Sequence, residues 1–231
     1  MSKKSKKQVQ EDLESDPLLE TFSKAQNFYD RRKSAVIGGI VAVILIVGGG
    51  VAYYYYASAQ EEEAQQLMSD ATTAYLNSDY ERALTGSDAD FTVGFRQIIN
   101  NYPRTDAANL ARYYAAVCEY NLGNVQQAVS YMEEYDIPDG ILGVGPISFH
   151  AVVTADAGNY EEAAELYVKA AEWDENDSTT PYNYLEAAQV YHDAGNTEAA
   201  EKYARVVVDQ YGDSNQADEA ERLLGTLAMS N

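Results

Sequence analysis

From Ser34 to Ala57 the chain reads SAVIGGIVAVILIVGGGVAYYYYA, 24 residues without a single charge. Wound as an α-helix at about 1.5 Å per residue, such a run reaches about 36 Å. A bilayer hydrocarbon core is about 30 Å thick. Ten of the residues are Val, Ile or Leu, which favours insertion by roughly 3–6 kcal/mol before the glycines and tyrosines are counted. Glycine is common in membrane helices, so Gly38, Gly39, Gly48, Gly49 and Gly50 do not argue against a span. Tyr53–Tyr56 fit the exit from the bilayer, because amphipathic tyrosine rings collect at the membrane–water boundary. The segment 34–57 is therefore predicted to be a single transmembrane helix.

Charge sets the expected orientation. Lys24, Arg31, Arg32 and Lys33 crowd the N-terminal flank, whereas the first basic residue after the segment is Arg82. The positive-inside rule places residues 1–33 in the cytoplasm and residues 58–231 outside. Two other readings stay open. Ala57-Ser58-Ala59 resembles a leader-peptidase site, although Val36–Ala52 is long for a leader and 33 residues precede Ser34. A buried core helix is the other reading, and the asymmetric flanks speak against it. Ser34, Gly38 and Ala42 are small residues four apart, a spacing that suits a helix–helix contact and hence a homodimer through the span.

The two flanks differ sharply in composition. Residues 1–33 carry 8 basic and 6 acidic side chains, net +2, while residues 58–231 carry 8 and 31, net −23. A domain this acidic repels nucleic acid, whose binding requires neutralised phosphates. The single cysteine, Cys118, permits no intrachain disulfide, so the 174-residue outer domain must hold itself by packing. In the tail, Asp16-Pro17 reads as a helix start. Leu18, Phe22, Ala25 and Tyr29 then share one face, suited to the inner leaflet or to a cytoplasmic partner. The Lys3–Lys7 run is expected to lie near anionic lipid.

The outer domain repeats itself. LGNVQQAVSY at 122–131, AGNYEEAAELY at 157–167 and AGNTEAAEKY at 194–203 each place Gly-Asn before three residues and an alanine: Gly123/Ala128, Gly158/Ala163 and Gly195/Ala200. The glycines lie 35 and 37 residues apart, and the residues leading into them follow helical spacing, as in Leu110, Tyr113, Tyr114, Val117 and Tyr120. Glycine ends one helix in the left-handed conformation, and the small alanine lets the returning helix approach. A lone hairpin of this kind cannot bury its apolar face, so hairpins stack.

This pattern resembles the tetratricopeptide repeat family over about Gln60–Asn231. The resemblance implies an all-α fold, a solenoid of about four hairpins and a capping helix. The crossing positions match Ala116, Ala151 and Ala188. The aromatic expected three residues later is present only as Tyr191, with Glu119 and Thr154 in its place elsewhere. A first, degenerate repeat is expected from Gln60 to Pro103, with its turn at Ser78-Asp79-Tyr80, Ala83 as the small residue and an insertion at 86–90. Ser214–Leu227 is expected to cap the array with Leu223, Leu224 and Leu227 inward. The family pattern puts the concave, peptide-binding positions at Tyr113, Val117, Tyr120 and Asn121, and at Tyr182, Leu185, Gln189, His192 and Asp193. Tyr113 and Tyr120 suit the groove and the inter-repeat core equally. The layout of tail, span and external repeats is similar to the ancillary subunit family of the SecYEG translocon and to anchored repeat proteins of Bacteroidetes-type bacteria. It implies an adaptor or chaperone that meets secreted chains, with residues 58–231 in the periplasm of a bacterial inner membrane. A scaffold in outer-membrane assembly, cell-wall synthesis or division is the alternative.

Little in the sequence points to chemistry, and no enzyme, cofactor or metal is expected. His150 and His192 fall in different repeats, without metal-ligand spacing. Cys118 sits mid-helix with no histidine near it in sequence, as a buried thiol does. Gly143-Val-Gly145 lacks a dinucleotide loop's third glycine and reads as a loop, with Pro146 opening the next helix. Asp174–Ser178 lacks a calcium loop's central glycine, and Leu185 stands where the bidentate glutamate belongs. No Lys and Arg clamp for a C-terminal carboxylate is present.

Overall fold

The computed structural model describes residues 17–89 and 91–230. It is helical almost throughout, and it divides into two units, Met1–Ser58 and Ala59–Asn231. The Lys3–Lys7 run, Asp16 and Asp90 lie outside the described residues.

In the first unit, α1 (Pro17–Arg31) is followed after one residue by α2 (Lys33–Leu76). Proline at the first helical position costs α1 no hydrogen bond, because that N–H would be unpaired anyway. The apolar half of α2 is long and apolar enough to cross a membrane, and none of its apolar window is buried against protein. The helix does not end at Ala57 as the sequence suggested. It runs on for 44 residues in all, about 66 Å, so its last turns form the first helix of the second unit. Nothing in SAQEEEAQQL breaks a helix: it holds no glycine or proline and is rich in good helix formers.

In the second unit, the end of α2 turns into α3 (Tyr80–Thr85), a two-stranded antiparallel loop of β1 (Gly86–Ser87) and β2 (Thr92–Val93), and α4 (Phe95–Asn101). Then come α5 (Asp106–Asn121) and α6 (Val125–Glu133), α7 (Ile141–Asp156) and α8 (Tyr160–Trp173), α9 (Thr180–Asp193) and α10 (Thr197–Gln210), and finally α11 (Ala217–Ser230). From α3 onward, sequence neighbours pack on one another.

The turns between the paired helices are built alike. Gly123, Gly158 and Gly195 have φ of +82°, +90° and +80°. The following Asn124, Asn159 and Asn196 donate their N–H to the carbonyls of Glu119, Thr154 and Tyr191 at 2.8, 3.1 and 2.8 Å. This is the six-to-one bond that closes a helix whose next residue is left-handed. The same asparagines stand at the N-cap of the returning helix. The first hairpin does this without glycine: Ser78 takes φ +60° and the Asp79 N–H donates to the Ala74 carbonyl at 3.0 Å.

Alanine fills the crossings. Ala83, Ala116, Ala128, Ala151, Ala163, Ala188 and Ala200 are all fully buried. Ala64, Met68, Ala71 and Ala74 form the buried stripe of α2 and pack with Leu84, Phe95, Ile98 and Ala111. At the far end Leu227 is buried, and Leu223 and Leu224 pack partly buried against α8–α10. One expectation fails. Gly143, Val144 and Gly145 are not a loop, and Pro146 does not open α7 but is its sixth residue. Val144 and Ile147 are buried, and a Cβ on Gly143 would lie 2.3 Å from both the Pro138 carbonyl oxygen and Trp173 Nε1. Close packing against α8 therefore holds the segment helical at the cost of one backbone hydrogen bond.

Candidate functional site

An open groove of about 580 Å³ separates α2 from α5. Glu61, Gln65, Met68, Ser69, Thr72 and Thr73 form one wall, and Asp106, Ala107, Leu110 and Tyr114 the other. Its upper end is fixed by a clamp. The Glu61 carboxylate accepts the backbone N–H of Asp106 at 2.7 Å and of Ala107 at 3.2 Å. The Thr105 hydroxyl takes the Ala108 N–H at 3.0 Å. Three otherwise unpaired donors of the α5 N-terminus are thus satisfied, and an anion sits where the helix dipole favours it. Met68 and Ala107 are buried in the floor, Leu110 is 43% exposed, and Ser69, Thr72 and Thr73 give a polar edge. The arrangement offers apolar contact with hydroxyls beside it, as an extended or helical peptide requires.

A second strip collects several of the sequence-predicted residues. Tyr113 and Tyr120 both meet Phe149 edge-to-face at 5.8 Å, so each ring bridges α5 to α7. The Tyr120 hydroxyl donates to Asp156 Oδ2 at 2.6 Å, and that bond, with burial, raises its pKa. The buried Tyr167 feels Asp156, Tyr120, Tyr182 and Glu186, which add to burial in raising its pKa. Tyr182 is 42% exposed on α9. Glu186 is raised by burial and then by its neighbour Glu219.

The remaining predicted positions divide. Val117 and His192 are half-buried, and Asn121 and Asp193 are exposed. Asn121 Nδ2 donates back to the Val117 carbonyl at 2.7 Å. Gln189 Nε2 donates to Glu219 Oε1 of α11 at 3.0 Å. Leu185 is only 3% exposed and packs with Ala171 and Ala204; it is core, because its place on α9 faces α8 and α10.

The α2–α5 groove was not read from sequence. Its first hairpin turns on Ser78 rather than glycine, so the Gly-Asn signal did not extend groove positions to it. The spacing of Met68 and Thr72 on α2 with Leu110 on α5 was the available cue.

Other candidate chemistry resolves into structure. Cys118 is fully buried, and burial, with Glu119 beside it, pushes its thiol up to about 12. Glu119 is buried, pairs with Arg96 and accepts from Asn124 Nδ2 at 2.9 Å. In the 174–180 loop, Asn176 Oδ1 accepts the N–H groups of Ser178 and Thr179, both at 2.9 Å, and its Nδ2 donates to the Asp174 carbonyl and to Thr179 Oγ1. Among the described residues no three His, Cys, Asp or Glu side chains are grouped to hold a metal ion. No family model matches the chain, and no curated protein matches it.

Proposed function

We propose that this chain is a membrane-anchored protein–protein interaction module, a tetratricopeptide-like solenoid held outside the cytoplasmic membrane by the uncharged half of α2. The observation that carries the reading is the α2–α5 groove. It is an open channel whose width is set by the Glu61 clamp and whose walls mix apolar side chains with hydroxyls. Stacked helical hairpins use such surfaces to hold peptide segments. The partner suited to it carries lysine or arginine, because the outer segment is net −23 and the groove wall includes Glu61 and Asp106.

The role that best unites anchor, expected orientation and groove is an adaptor or chaperone. It would receive secreted chains as they emerge from a SecYEG-type translocon. The test is affinity capture of the full-length protein from native membranes in mild detergent, beside a control that keeps the span but lacks residues 104–231. Translocon subunits and many secreted chains bound only by the full-length protein support the adaptor. A single stoichiometric envelope complex would replace it with the scaffold reading. Equal recovery with the control would remove the repeat domain from either role.

A further inference from the structure

The end of α1 carries a cation cluster. Arg31 closes α1, Arg32 sits at the break and Lys33 opens α2. Arg32 caps both helices: its N–H donates to the Phe28 carbonyl at 3.1 Å, and its carbonyl accepts the Val36 N–H at 2.9 Å. Lys24, Asn27, Phe28, Arg31 and Arg32 surround one open cavity of about 520 Å³. The Arg32 guanidinium lies 5.9 Å from the Phe28 ring centre, and the Lys33 ammonium lies 6.0 Å from that of Tyr29. The rings position two cations without neutralising them.

Depth and polarity together select an occupant. Arg31 precedes Ser34, where the uncharged run begins, by three residues, about 4.5 Å of helix. With that run crossing the hydrocarbon, the cluster lies at the level of the headgroup phosphates. The neighbouring face of α1 is apolar and has no protein cover among the described residues. Phe22 is 68% and Phe28 58% exposed, and Ala25 and Tyr29 continue the stripe. α1 itself is neutral, with Glu20 and Asp30 against Lys24 and Arg31; its amphipathic stripe suits the membrane interface, and the net positive charge lies at the junction, where Arg31, Arg32 and Lys33 follow Asp30. The geometry points to a binding site for an anionic glycerophospholipid. Arg31 and Arg32 take the phosphate oxygens, Asn27 adds an amide donor, and Phe28 packs on the glycerol and upper acyl chain. Arginine suits phosphate because its planar fork donates two parallel hydrogen bonds.

The site rests on the membrane reading of α2, and the test separates the two. Full-length protein in mild detergent is offered phosphatidylglycerol or phosphatidylcholine, and retained lipid is counted by native mass spectrometry. Wild type is compared with Arg31→Gln/Arg32→Gln and with Lys3→Gln/Lys4→Gln/Lys6→Gln/Lys7→Gln. The wild type should retain phosphatidylglycerol preferentially. The arginine variant should lose that preference on the order of tenfold, while the lysine variant keeps it. Equal retention of the two lipids, an unchanged arginine variant, or loss confined to the lysine variant would each overturn the site. Carbonate extraction of native membranes tests the anchor separately. Release of wild type into the soluble fraction would sink the membrane reading, whereas an integral protein without lipid preference sinks only this site.

Discussion

Replacing Arg96 by methionine strands the Glu119 carboxylate. Glu119 is 1% exposed at its side chain, against 43% for Arg96. Once the guanidinium is gone, its remaining side-chain partner is Asn124 Nδ2 at 2.9 Å. Breaking a fully buried ion pair costs about 3–5 kcal/mol. Arg96 is nearly half exposed, so water screens the pair and enters when it is broken, which lowers the expected loss to about 2 kcal/mol. For a domain of this size that is about 4–8 °C in Tm. The double variant Arg96→Met/Glu119→Leu should recover to within about 1 kcal/mol of wild type, because a packed apolar pair can replace a buried ionic one. The Asn124 amide released by the change is exposed and can turn to water. Thermal and urea unfolding of the full-length protein in mild detergent, followed by circular dichroism, measures all three. A harmless single variant, or a double variant less stable than the single, would refute the reasoning.

Other outcomes follow from local geometry. Gly158→Ala, at φ +90° with nothing near the new Cβ, should cost about 1–2 kcal/mol. The same change at Gly225, within helix α11 and equally unobstructed, should stabilise by about 0.5–1 kcal/mol; paired melts give the two signs. Gly143→Ala should disturb the 3.1 Å Trp173 Nε1–Pro138 hydrogen bond and shift the emission of the only tryptophan. Cys118, its thiol raised to about 12, should resist maleimide at pH 8 until the protein is unfolded. His150 has a buried, unpaired Nε2. Its pKa is lowered chiefly by burial and further by Lys169, while Glu133 and Glu162 pull the other way. A folded pKa below the unfolded one near 6.5 means that stability present above pH 6.5 is lost as the pH falls through that window. His150→Gln should flatten this loss between about pH 7 and 5, measured as the difference from wild type so that the opposing trend of Glu186 cancels.

The hairpins were legible because their turns depend on local chemistry. Gly-Asn followed by alanine specifies a left-handed stop, an N-cap and a close crossing within six residues, and Gly123, Gly158 and Gly195 do this alike. The candidate site was less legible because it depends on pairs of helices. Glu61 and Asp106 are 45 residues apart, and no periodicity links them. Tyr113 and Tyr120 had the right spacing for a groove, but both rings also pack on Phe149 of another helix. Leu185 has the groove register yet lies where α9 turns toward α8 and α10. Pro146 misled because proline favours helix starts, whereas burial of Val144 and Ile147 and the fit of Gly143 against Trp173 outweighed that preference.

The most direct test of the interaction reading is site-specific photocrosslinking in living cells, with a crosslinking amino acid placed at Thr72 or Leu110 in the α2–α5 groove and at Gln127 on α6 as a control. The account predicts crosslinks to other polypeptides from the two groove positions and few from Gln127, with the groove crosslinks weakened by Glu61→Ala. Silence at both groove positions, or equal crosslinking at Gln127, would contradict it.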